Sequence, residues 1–171
     1  MNQYKVPSII TQVESESPSP GYPVCAWDHS ESIINKDSYA LTLKPLETIS
    51  GINGILYRNA TNQLWTTGYN FQNTGTITGI EVIVNCQRLA RVQDYVIQLC
   101  LNGELIGENK ASLSVADFKT YGSETDLWDT ELTADNLNDT FGVVVSLQSN
   151  IQYPHRDLAY IDQVAIRVHY G

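Results

Sequence analysis

Cations are scarce in this sequence, and none of them cluster. The 171 residues include 10 Lys and Arg against 19 Asp and Glu, which gives a formal net charge of −9. The basic residues are scattered from Lys5 to Arg167 without forming a basic stripe. Because nucleic acids and anionic membranes bind clustered cations, we expect neither as a partner.

Long apolar runs and paired cysteines are also missing. No window approaches the roughly 20 apolar residues of a spanning helix, and the N-terminus lacks a signal-peptide stretch, so we expect a chain that begins at Met1 in the cytosol. The three cysteines, Cys25, Cys86 and Cys100, include no CxxC pair, which argues against zinc and dithiol chemistry. Cys86 and Cys100 lie in apolar runs and are predicted to be buried thiols.

The motifs of common enzymes are absent. The sequence contains no Gly-x-Ser-x-Gly elbow and no glycine-rich phosphate loop. The three histidines do not share a spacing typical of zinc ligands. We therefore predict a protein that is not an enzyme and has no cofactor.

One acidic segment, residues 122–142, contains six carboxylates around Trp128 and no basic residue. An EF-hand loop that started at Asp129 would need glycine and glutamate where Ala134 and Thr140 stand. Two interpretations stay open: the segment is an irregular calcium site, or it is a solvated connection anchored by Trp128. The sequence leaves open whether Trp128 is a core residue or a contact residue. The calcium interpretation uses Asp126, Asp129, Glu131 and Asp135.

The first 24 residues hold four of the six prolines, around the low-complexity stretch ESESPSPGYP. Proline and serine at this density oppose a helix or a central strand. We expect residues 1–24 to form an extended arm that a neighbouring subunit holds in place. Its predicted assembly contacts are Val6, Ile9, Ile10, Val13 and Tyr22.

The remainder, residues 25–171, is predicted to be one domain, and from Tyr39 onward it alternates apolar and polar residues with period two. The pattern is clear in IEVIVNCQ (80–87), YVIQLCL (95–101), FGVVVSL (141–147) and YIDQVAIRVHY (160–170). In the last segment it predicts that Tyr160 and Val164 lie on the same face of the strand, with Asp162 as a polar exception on that face. Asn102-Gly103 supplies the positive-φ pair of a tight hairpin. These patterns predict an all-β domain, an antiparallel β-sandwich of Ig-like or jelly-roll type.

Aromatic residues in LWTTGYNF (64–71) favour either of two interpretations. Trp65 and Tyr69, with Phe71, have the odd spacing that would place them on one strand face as a sugar-stacking platform. The same spacing is typical of a strand face that packs into a core.

Four segments together resemble the virion-associated β-sandwich proteins of tailed phages. They are AWDHSESIINKDSYA (26–40), TGIEVIVNCQRLARVQDYVIQLCLNGELIGENKA (78–111), YGSETDLWDTELTADNLNDTFGVVV (121–145) and AYIDQVAIRVHY (159–170). The sequence departs from the pattern at Asp129, where glycine is expected after Asp-Leu-Trp.

This resemblance implies a structural protein of a phage virion, most simply a capsid decoration or cement protein. The alternatives are a neck or tail accessory, or a carbohydrate-binding module for host recognition. It implies a homo-oligomer that contacts the major capsid protein or other virion proteins, located on the outer surface of a virion assembled in the host cytoplasm, and it implies no catalytic residues.

Overall fold

The computed structural model describes residues 2–16, 24, 26–28, 30, 40–42, 46–47, 60–72, 75–89, 92–113, 117–149 and 156–171. Regular structure in these ranges is almost entirely β, apart from a 3-10 turn at Ala134–Asn136. The strands are β1 (Asn2–Lys5), β2 (Ile9–Val13), β3 (Trp27–Asp28), β4 (Ala40–Thr42), β5 (Leu46–Glu47), β6 (Gln63–Thr67), β7 (Ile77–Leu89), β8 (Val92–Leu101), β9 (Glu104–Ile106), β10 (Phe118–Gly122), β11 (Gly142–Ser149) and β12 (Arg156–Tyr170).

The strands form two antiparallel sheets. In the seven-stranded sheet, the order is β10-β7-β12-β4-β3, with β1 and β5 also paired to β12. The 15-residue strand β12 runs beside β7 along one edge and meets β5, β4 and β1 in turn along the other. The five-stranded sheet has the order β2-β6-β11-β8-β9.

The two sheets pack face to face around one core, which confirms the predicted all-β sandwich. Val82 and Val84 of β7 are fully buried in the same cluster as Val143 and Val145 of β11. Alternation predicted these inward faces correctly because each strand presents every second side chain to the other sheet. Within the described ranges, no helix has the length and apolarity needed to cross a membrane.

Asp162 interrupts the alternation of β12 because the pairing of this strand shifts register there. The pairing of β12 with β7 is irregular between Ile161 and Gln163. An extra residue reverses the alternation, so Ile161 is fully buried while Tyr160 is only half-buried. The predicted alignment of Tyr160 with Val164 was therefore wrong, and the Asp162 carboxylate accepts a hydrogen bond from Asn85 at 2.8 Å.

Residues 2–16 are extended, and the structure places them against the sandwich of the same chain. β1 pairs with β12 in one sheet and β2 pairs with β6 in the other, so the chain crosses between sheets at the buried Pro7. Side-chain amides strengthen both attachments. Gln3 exchanges two hydrogen bonds with the backbone of Gln72, and Gln12 does the same with Trp27, at 2.8–2.9 Å.

The predicted hairpin turn is present. Asn102 and Gly103 have φ values of 55° and 81° and connect β8 to β9, which confirms the tight hairpin. Thr133 precedes the 3-10 turn, and the Asn136 side chain accepts a hydrogen bond from its backbone N–H at 2.8 Å.

Candidate interaction surface

The outward side of the five-stranded sheet is the candidate site. The strand register places Thr11 opposite Trp65 and Trp65 opposite Val144. Because neighbouring residues such as Leu64 and Val143 point into the core, alternation directs this row away from it. We call the set of outward residues the outer sheet face. It consists of Ile9, Thr11, Val13, Gln63, Trp65, Thr67, Val96, Gln98, Cys100, Leu105, Gly142, Val144 and Ser146.

The outer sheet face carries no charge and is rich in apolar residues. None of its members is acidic or basic, in a chain whose net charge is −9. Ile9 is 49% exposed, Val13 44% and Leu105 39%, which are high values for side chains of this type. Ile9 and Val13 lie together on β2, whereas Leu105 lies alone on β9. Grouped exposed apolar side chains such as Ile9 and Val13 are typical of an interaction surface.

A second, smaller hydrophobic cluster lies at the centre of this face, separate from the core between the sheets. Val96, Cys100 and Val144 are buried there, with Trp65 and Tyr95 packed against them. The indole N–H of Trp65 donates to the Gln63 side chain at 3.0 Å, which fixes the ring. Trp65 is therefore a rigid, partly exposed aromatic residue in an apolar setting, a common type of binding anchor.

A groove of about 520 Å³ crosses one side of the outer sheet face. Ile9 and Val13 line it together with Trp65, and Thr11 and Thr67 contribute hydroxyl groups. Gly103, Asp139 and Thr140 line the rest of the groove. The Asp139 carboxylate is the one charged group among these lining residues.

The predicted assembly contacts have different positions. Ile9 and Val13 lie on the outer sheet face, whereas Ile10 points inward and packs against the core. Val6 is half-buried beside Pro7, where the chain crosses between the sheets. Tyr22 lies outside the described residues.

The predicted sugar platform is divided between the two sides of the sheet. Trp65 faces outward, but Tyr69 is only 2% exposed. The hydroxyl groups of Tyr69 and Thr66 form a hydrogen bond at 2.7 Å, and the Tyr69 ring stacks on Phe71 inside the core. Positive φ values of 70° at Gly68 and 52° at Asn70 break the alternation after β6. The pairing of Trp65 with Tyr69 in one exposed platform was therefore wrong.

The four calcium candidates do not converge. Asp126, Asp129, Glu131 and Asp135 are all described, and no group of metal-binding side chains is found among the described residues. Lys110 already lies 2.9 Å from the Asp126 carboxylate, which also accepts the Trp128 amide hydrogen at 2.8 Å. Partial burial raises the pKa of Asp126, but Lys110 and this amide outweigh it and lower the pKa from its ordinary value.

Trp128 is a core residue. It is fully buried, and its indole N–H donates to the carbonyl of Ile80 at 2.8 Å. The ring packs on Gly122, which has a φ of 80° and leaves no room for a Cβ, and Lys110 lies over the ring at 5.3 Å. The segment 122–142 is thus anchored to β7 by its tryptophan.

Sequence patterns did not reveal a buried polar cluster at the end of the core. The Asp94 carboxylate lies 2.7 Å from Arg88 and 2.9 Å from Lys119, and accepts hydrogen bonds from Tyr121 at 2.9 Å and from the Ser112 amide at 3.0 Å. Burial raises the pKa of Asp94, but the two cations and Ser112 together lower it below its usual range. Burial is the main cause that raises the pKa of Tyr121, and the charge of Asp94 raises it further.

The predicted buried thiols are confirmed for Cys86 and Cys100, while Cys25 lies outside the described residues. Both are fully buried and free. Burial raises the pKa of Cys86 to about 11 and that of Cys100 to about 12. Since only the thiolate is a good nucleophile, these side chains act as apolar packing at neutral pH.

Comparisons with known proteins assign no family. No family model matches the chain, no curated protein is significantly similar to it, and no solved structure matches the fold significantly.

Proposed function

We propose that this chain is a non-enzymatic structural subunit of a virion, a capsid decoration or cement protein that assembles with copies of itself and with neighbouring shell proteins. The outer sheet face is the observation that carries the proposal. Its exposed Ile9 and Val13 line a groove beside the fixed Trp65, and Asp139 is the one charged residue among those that line it. Apolar residues around an aromatic anchor, with few charges, are typical of the centre of a protein interface.

The virion setting comes from the sequence resemblance, and two physical features agree with it. The net charge of −9 suits an exterior position away from packaged DNA. The antiparallel sandwich binds its own N-terminal strands at the edge of each sheet, so apolar residues of the first segment become part of a rigid surface. A neck or tail accessory would use the same surface.

A particle-binding experiment tests this proposal. Particles of the virus whose genome encodes the chain are prepared without it, mixed with purified protein and sedimented. We expect the wild type to bind in a fixed ratio to the major shell protein and Ile9→Asp to bind much more weakly. Deleting residues 2–24 is a poorer test, because it would remove β1 and β2 from the sheets. Wild-type protein that stays unbound, and is absent from purified native particles, would contradict the proposal.

Glycan binding is a second candidate, supported by the surroundings of Trp65. Thr11, Thr67 and Asp139 line the groove together with Trp65. Aromatic rings stack on sugar faces, and polar side chains bind sugar hydroxyls. A glycan array tests it: binding that is lost in both Trp65→Ala and Asp139→Asn, with the fold preserved, would favour this function.

A further inference from the structure

We infer that the groove on the outer sheet face binds an extended segment of a different, basic protein. This segment carries a Lys or Arg side chain at one end and apolar side chains at alternate positions after it. The inference rests on the proposed function, because it names the chemistry of the shell protein that the face contacts. Three features of the groove carry it: the length, the apolar lining and the charge at one end.

The groove has the length of a short extended segment. Its lining on β2 runs from Ile9 to Val13, and four residue steps along a strand span about 13 Å. In an extended segment, side chains that point the same way are about 7 Å apart. Three side chains at positions i, i+2 and i+4 therefore reach from one end of the groove to the other.

Most of the lining is apolar. Ile9 is 49% exposed and Val13 44%, and both line the groove. Trp65 lies between them on the neighbouring strand, because its partner in the register is Thr11. Its indole N–H already donates to Gln63 at 3.0 Å, so the ring offers apolar surface to a ligand. Aliphatic side chains of a partner would bury this surface.

One end of the groove is acidic. The Asp139 carbonyl accepts a hydrogen bond from the Gly68 amide at 3.0 Å, which fixes Asp139 next to Thr67, the residue paired with Ile9. The Asp139 side chain is exposed, and in the part of the chain that the structure describes no cationic group lies within ion-pair distance of it. Its carboxylate is therefore open to a cation from a ligand.

Charge complementarity selects a basic partner. The chain has a net charge of −9, so its field opposes the approach of an acidic segment and favours that of a basic one. A Lys or Arg side chain also matches both parts of the groove. Its methylene stem packs on apolar surface beside Ile9 while its charged end reaches Asp139.

Peptide selection tests the motif without assuming a sequence. A random seven-residue peptide library is displayed and selected on the immobilised full chain. We expect the selected peptides to share a basic residue with apolar residues two and four positions from it. Asp139→Lys should select an acidic residue at the basic position and keep the apolar ones. Asp135→Lys is the matched control, because Asp135 is an exposed acid of the same segment that does not line the groove; it should select the wild-type motif.

Fluorescence anisotropy of the most enriched peptide, labelled with a fluorophore, measures the two contributions. Asp139→Asn should weaken binding by about two- to fivefold, as for an exposed ion pair. It should leave unchanged the affinity of a peptide whose basic residue is replaced by Gln. Val13→Ser should weaken both peptides by about threefold or more, because it removes apolar contact area. Circular dichroism and thermal melting of each variant check that it is folded.

Three selection results would overturn the inference: no common motif, acidic or uncharged peptides on the wild type, or the same motif on wild type and Asp139→Lys. Saturable binding of a neutral glycan with no peptide selected would also overturn it. Particle binding that Asp139→Lys leaves unchanged removes this inference and leaves the proposed function. A basic motif selected by a protein that is absent from native particles does the reverse.

Discussion

The guanidinium of Arg88 lies 2.7 Å from the carboxylate of Asp94, and both side chains are fully buried although they belong to opposite sheets. Arg88 is near the end of β7 and Asp94 near the start of β8. Lys119 approaches the same carboxylate from β10. One acid on the five-stranded sheet thus binds two cations of the seven-stranded sheet, and this contact fixes the sheets relative to each other at one end of the core.

Asp94→Asn should strongly destabilise the protein. The substitution keeps the shape of the side chain but leaves Arg88 and Lys119 without their shared anion in a buried site, which typically costs about 3–5 kcal/mol. Urea unfolding of the variant measures the loss. Glu108→Gln is the control, because it removes an acid from an exposed pair with Lys110 and should cost less than about 1 kcal/mol. Equal losses in the two variants would contradict a special role for the buried cluster.

The same cluster predicts part of the acid sensitivity of the fold. The pKa of Asp94 is lowered in the folded state, so the contribution of its carboxylate to the free energy of unfolding is fully present above the unfolded pKa of about 3.9. It is lost as the pH falls through the lower folded pKa. We expect the difference in urea midpoint between wild type and Asp94→Asn to be constant above about pH 5 and to shrink toward pH 2. A difference that did not change with pH would show that the charge of Asp94 is not what stabilises the fold.

The sandwich was predictable because most of its strands have one face in the core. Strict alternation from Phe141 to Leu147 identified the inward residues of β11 correctly. Alternation failed where the backbone departs from regular pairing, at the bulge near Asp162 and at the positive φ of Gly68. Neither departure has a signal that distinguishes it from an ordinary polar or glycine residue in a strand.

The candidate surface was predictable only in part. The apolar character of Ile9 and Val13 suggested contacts, but their position beside Trp65 depends on the pairing of β2 with β6, which joins residues 50 to 58 positions apart. The Arg88–Asp94 pair was hidden for a related reason. Charged residues near strand ends are usually exposed, and only the sandwich geometry places these two between the sheets.

The backbone at Asp129 provides a test of local strain. Trp128 and Asp129 have φ values of 57° and 54°, in the left-handed region that disfavours branched side chains. Asp129→Val should lower the free energy of unfolding by about 1–2 kcal/mol, while Asp129→Gly should leave it equal or higher. Urea unfolding of both variants gives the order. Glu131→Val, at an exposed position without positive φ, is the control and should change stability little, and the idea fails if Asp129→Val is as stable as the wild type.

The amide of Gln12 tests how the N-terminal strands are attached. It accepts the Trp27 amide hydrogen and donates to the Trp27 carbonyl, both at 2.9 Å. One side chain therefore makes the two backbone hydrogen bonds that a neighbouring strand would otherwise make. Gln12→Leu keeps the length of the side chain but leaves both groups of Trp27 without this partner. We expect hydrogen exchange at the Trp27 amide to accelerate by about tenfold or more, as for a hydrogen bond worth roughly 1–2 kcal/mol. Gln3→Leu is the matched control, because Gln3 makes the same two bonds with Gln72; it should accelerate exchange at Gln72 and leave Trp27 unchanged. If instead Gln12→Leu accelerates both sites equally, the two attachments are coupled and β1 and β2 detach from the sandwich as one unit.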